Sequence, residues 1–171
     1  MSEPGLPFSS SILSAVEQPR PAELALVHGF SHPSALRTAV TCDIVAANPA
    51  FTRLFPGLEA GANLLTWMLL DPMARCVLAD WETEARLLVG RFREMIGAAQ
   101  SRRVEEVLRL CRRATDWERL WHGAVPEAAS DERIVLVLEP DSGRETAMHA
   151  QTFTFEAPHR TWRLDTLVPA G

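Results

Sequence analysis

From Trp81 onward, Ala85, Leu88, Phe92, Met95 and Ile96 recur at steps of three and four, the apolar face of a long helix running to about Ala99. Ahead of it, Asn63 to Glu82 packs two Trp, five Leu and two Met into twenty residues. Two Asp punctuate that stretch. Asp71 followed by Pro72 reads as an N-cap with proline at the first helical position, and Asp80 repeats the device before the long helix. The block therefore predicts a short apolar segment, a short helix from Pro72 and a long helix from Trp81. Ser101 then caps a helix over Arg102 to Ala114 that turns Val104, Val107, Leu108 and Cys111 inward, and Asp116 caps a short one carrying Trp117, Leu120 and Trp121.

Beyond this the period falls to two. Arg133 to Glu139 is apolar on both faces and is expected at the centre of a sheet; Pro140 to Gly143 turns the chain, Arg144 to Glu156 is a long strand, Pro158 to Arg160 turns again, and Thr161 to Val168 closes the sheet. Upstream, Ser10 or Ser11 caps a short helix with Ile12, Leu13 and Val16. Glu23 to Phe30 alternates as a strand, Ser31 to Ser34 reads as a loop, and Val40 to Ala46 is the next strand. Asn48-Pro49 starts a helix that ends at Phe55 before Pro56-Gly57. Strands, a helical middle and strands again predict an α+β domain, with helices packed on one face of an antiparallel β-sheet. Residues 1–9 read as a flexible N-terminus and 10–171 as a single domain.

Composition narrows the chemistry. The chain has 171 residues, 47% of them hydrophobic, enough for one core. A net charge of -5 argues against direct nucleic-acid binding, and Arg102, Arg103, Arg109, Arg112 and Arg113 read as a solvated helix face diluted by Glu105 and Glu106. All 17 basic residues are Arg, so lysine Schiff-base and P-loop chemistry are excluded; with no Tyr, phenol chemistry is too. Cys42, Cys76 and Cys111 are an odd, widely spaced set among apolar neighbours that reads as reduced, buried small residues. His28 and His32 flank a Gly and precede a Pro, so a loop rather than a metal site is expected, and no motif supports haem or another cofactor. The polar N-terminus and the absence of any run long enough to span a bilayer predict a soluble, cytoplasmic protein.

On the long strand, Ala147, His149, Gln151, Phe153 and Phe155 share one face. If the Phe residues look into the core, His149 and Gln151 do so too, as satisfied polar groups or as the anchors of a ligand.

The runs Asp43 to Ala50 and Asn63-Leu64-Leu65 through Leu70-Asp71-Pro72, the triplet Asp80-Trp81-Glu82 and the pair Leu120-Trp121 resemble the MmyB-like transcription-regulator ligand-binding domain, over roughly Ile12 to Pro169. The resemblance implies a PAS-like fold, known from actinobacterial and related regulators, with a cavity between sheet and helices for a small lipophilic effector such as a fatty acid. Two features depart from it. About twenty residues precede the first predicted strand, too few for the family's helix-turn-helix, so DNA binding is not carried over, and the segment Gly29 to Thr38 is longer than a tight turn.

The expected cavity is lined by Leu64, Trp67, Met68, Trp81, Phe92, Trp117, Trp121, Phe153 and Phe155, with His149 and Gln151 at its polar end. Its occupant would be a small hydrophobic ligand, in a domain that pairs as a homodimer or with a partner regulator chain. The alternative is a cofactor-independent cyclase, isomerase or dehydratase recruited from the sensor fold. His149 and His122 would be its acid or base; Asp80 and Glu82 already have a role at a helix start.

Overall fold

A computed structural model describes residues 18–126, 133–155 and 161–171. The expected N-terminal cap and helix over Ser10 to Val16, and the turn Pro158 to Arg160, lie outside the described residues.

The first element corrects the reading of Glu23 to Phe30. It is a helix, α1 (Pro21–Gly29), not a strand. Pro21 presets the first turn, and the Glu23 carboxylate reaches back to the Arg20 amide at 2.7 Å, while Ala22, Leu24, Ala25 and Leu26 all favour helix. The first strand instead lies in the stretch read as a long loop: β1 (Ser34–Thr38). Its neighbour β2 (Ile44–Ala47) starts later than the expected Val40. Residues 39–42 form the connecting turn, which Cys42 completes at a φ of 59°.

The helical middle follows its caps. Asn48 accepts from the Phe51 amide at the start of α2 (Pro49–Leu54). The apolar segment after Asn63 is itself a helix, α3 (Leu64–Leu70), whose N-cap oxygen accepts from the Thr66 amide. Asp71 caps α4 (Pro72–Val77), Asp80 caps α5 (Trp81–Ile96), and Ser101 caps α6 (Arg102–Cys111). Asp116 precedes α7 (Trp117–His122) but caps nothing with its side chain, because Arg75 and Arg119 hold its carboxylate.

Three strands follow, β3 (Arg133–Leu138), β4 (Glu145–Thr154) and β5 (Trp162–Pro169). The antiparallel sheet has the order β2-β1-β5-β4-β3. β3 is thus an edge strand, not the expected central one. Only Val135 and Val137 are buried on it, while Ile134 and Leu136 stand exposed on the other side. Its free margin is closed at one point by the Ala79 amide, which donates to Leu136 O at 3.0 Å. At the opposite margin, Ile44 N donates to Ala62 O at 2.8 Å and Leu64 N to Cys42 O at 2.9 Å.

The two faces of the sheet carry separate cores. The inner face, with Ala35, Val135, Val137, Met148 and Leu167, packs on the helical middle. The outer face is covered at one end by α1, where Val27 meets Leu36, Val45, Trp162 and Leu164. β4 therefore turns Met148, Ala150 and Thr152 inward. The expected core face of Phe153 and His149 is the outer one, and Phe153 is half exposed there.

Candidate ligand-binding cavity

Between the inner face of the sheet and helices α3 and α5 lies a cavity of about 120 Å³. One part of its lining is apolar: Phe51, Phe55, Leu58, Leu64, Trp67, Met68 and Leu78. Trp67 is fixed in this wall from two directions. Its ring stands edge-on to Phe55 at 5.9 Å, and its indole N–H donates to Pro56 O at 2.9 Å. That approach requires Gly57, at a φ of 92°, since a Cβ there would lie 3.3 Å from the Trp67 nitrogen. Met68 is held likewise, through Trp81, whose indole donates to Met68 O at 2.8 Å while the Arg75 guanidinium covers its ring at 3.4 Å.

Another part of the lining is charged. Arg37 on β1 donates from Nε to Asp165 Oδ2 on β5 at 2.5 Å, and Thr152 on β4 donates to Asp165 Oδ1 at 2.8 Å. Burial opposes the charge on Arg37, but Asp165 and Cys42 together outweigh it and hold the guanidinium above its ordinary value. Beside them Arg133 on β3 pairs with Glu84 on α5. Burial pushes the Arg133 guanidinium below its ordinary value, with Asp165 opposing the shift and Arg37 adding to it. Its Nε is buried and finds no acceptor among the described residues, and the same holds for Nε of Arg163. Arg91 completes the ring, and with Leu88, Arg37 and Arg163 it also lines a second opening beside Cys42 and Phe92.

Such a site holds a molecule by enclosure at the aromatic end and by directed N–H groups at the other. Arg37, Arg91 and Arg133 against Glu84 and Asp165 leave one positive charge in excess in the main cavity. An oxyanion matches that balance, since a guanidinium presents N–H groups in a planar fork.

Of the residues expected from sequence, Leu64, Trp67, Met68 and Gln151 line this cavity. Phe92 is buried in the core and borders the second opening. Trp81 supports Met68 from behind. Trp117 and Trp121 stack on each other at 4.8 Å in α7 and do not reach the cavity, and Phe155 packs on the α1 side of the sheet. His149 and Phe153 lie on the outer face, so they do not form the polar and aromatic end assigned to them. His122 is exposed beside Glu118. The charged end was missed. Glu84 was legible: three residues after Trp81 and one before Ala85, it falls on the buried helix face. Arg37 and Asp165 carry no local mark, being 128 positions apart.

The family model described as MmyB-like transcription regulator ligand binding domain matches residues 19–170. No curated protein matches the chain. Among the described residues, no helix is long and apolar enough to cross a membrane.

Proposed function

Because this chain belongs to the MmyB-like transcription regulator ligand binding domain family, we propose that its cavity takes a small lipophilic effector with an anionic head group. The apolar body lies against Phe55, Trp67 and Met68, and the head faces Arg91 and Arg133. The domain acts in pairs, with itself or with a partner regulator chain.

The supporting observation is Nε of Arg133, a buried donor without an acceptor among the described residues, in a lining that carries three guanidinium groups against two carboxylates. Unpartnered buried donors cost stability, and a ligand oxygen in reach recovers it. Volume sets the scale of the body. An engineered protein cavity of roughly 150 Å³ holds benzene, so about 120 Å³ accommodates one ring or a short alkyl chain. A longer tail requires Trp67 on α3 and Leu87 on α5, which both line the cavity, to part.

The test starts with mass spectrometry of an organic extract of the purified full chain. An acidic lipophile near one per chain is expected. Titration then compares a short alkyl carboxylate with its methyl ester, in the natural chain and in Arg91→Gln, which leaves both existing ion pairs intact. The acid should bind about tenfold or more tightly than the ester, and the variant should lose most of that difference. Equal affinity for acid and ester overturns the anionic head, and no binding of either overturns the effector.

A further inference from the structure

We infer that a second copy of this chain docks face to face on the outer side of β3 and β4. Five large hydrophobic side chains stand exposed among the described residues, and three share this half of one sheet face: Ile134 at 50%, Leu136 at 37% and Phe153 at 50%. The register assembles them. Ile134, His149 and Val168 form one row across β3, β4 and β5, Leu136 lies beside Ala147, and Phe153 lies beside Leu164. α1 covers the other half of this face. An exposed apolar stripe bordered by polar groups marks an interaction surface.

The surface is complementary to itself. On β4, Glu145 and His149 flank Ala147 at equal distance along the strand and point to the same side. A two-fold axis through Ala147 lays β4 of one copy antiparallel over β4 of the other. Each Glu145 carboxylate then meets the His149 imidazole of the opposite copy, with Leu136 near the axis and Ile134 filling the flank. Such an arrangement is isologous, using one patch twice. Pairing edge to edge along β3 is obstructed, because Ala79 already occupies Leu136 O on that margin. Stacking the faces, as in a sandwich of two sheets, meets no such obstacle. The inference rests on the paired reading above, but its test measures mass and not ligand.

Sedimentation equilibrium of the full chain should give twice 19.0 kDa at micromolar concentration. Leu136→Asp should weaken self-association by about a hundredfold while leaving the melting temperature of the monomer unchanged, since the side chain is partly in water already. Ile134→Ser, at a half-exposed position beside His149, serves if the first variant fails to fold. Glu145→Arg should weaken the pair by about threefold to tenfold, and Glu145→Arg with His149→Glu should restore it. A natural chain that stays monomeric at high concentration overturns the inference, as does a dimer indifferent to Leu136→Asp and Ile134→Ser. A monomer whose stripe binds a hydrophobic dye only after Ile12→Asp and Leu13→Asp would assign the face to the chain's own N-terminal segment, and would overturn it too.

Discussion

Arg103 grips Asp43 across sixty residues of sequence, with Nε 3.2 Å from both carboxylate oxygens and a terminal nitrogen 2.5 Å from one of them. The contact ties α6 to the start of β2. Asp43 is almost fully buried and also accepts from Asn63 Nδ2 at 2.8 Å and from Thr41 Oγ1 at 2.7 Å, so the cap of α3 belongs to the same cluster. The hydrogen bond from Arg103 to Asp43 is the main reason the guanidinium is held above its ordinary value.

Removing one partner should therefore cost more than removing both. Arg103→Met strands a buried carboxylate and is expected to lower stability by about 3–5 kcal/mol. Adding Asp43→Asn, which keeps the shape and removes the charge, should recover a large part of that loss. Urea unfolding of the two single variants and the double variant gives the coupling, and additive effects would show that the pair is not the tie.

Gly90 in the middle of α5 should resist the usual helix-strengthening change to alanine. A Cβ at this position would come within 2.4 Å of Val125 Cγ2. Gly to Ala ordinarily stabilises a helix interior by up to about 1 kcal/mol. Here overpacking of about 1–3 kcal/mol should reverse the sign. Gly90→Ala with Val125→Ala should then melt above Gly90→Ala alone. A single variant that melts above the natural chain would show that Val125 yields freely.

The thiols should divide by burial. Cys76 is exposed rather than buried as its apolar neighbours suggest, whereas burial pushes Cys42 up to about 11 and Cys111 up to about 12. At pH 8 one thiol should react quickly with an aromatic disulfide reagent and the other two only after unfolding. The same groups make folding sensitive to alkali. Below the ordinary thiol value both states keep their protons and stability is intact. Above it the unfolded chain releases protons that the folded chain retains, so stability falls by about 1.4 kcal/mol per pH unit for each thiol until the folded values are reached. Melting temperatures measured from pH 8 to 10.5 should decline beyond about pH 9, and the decline should disappear in Cys42→Ala with Cys111→Ala.

How much was legible follows the range of each interaction. Asn48-Pro49, Asp71-Pro72, Asp80 and Ser101 announce their helices because a cap is a contact over two or three residues. α1 reads as a strand in the sequence because Leu24, Leu26 and His28 alternate while only Val27 is buried, and a short apolar run serves either period. The face of β4 was misjudged for a related reason. Phe153 looked like core, yet the inward positions are Met148, Ala150 and Thr152, which leave room for a cavity. For the cavity, Leu64, Trp67 and Met68 were readable as one dense apolar stretch. Arg37, Arg133 and Asp165 come together only through strand order, which puts β1 beside β5 and β3 beside β4.

Both margins of the sheet are stoppered by backbone on its way into a helix: residues 61–64 lead into α3, and Leu78 and Ala79 lead into α5. Those two helices also form much of the cavity roof. Roof and floor are thus stitched at opposite hems, and a guest that lifts either helix strains the last rungs of the sheet at that side. Opening the chamber and loosening the border strands become one movement, recorded in the amides of Ile44, Leu64 and Ala79.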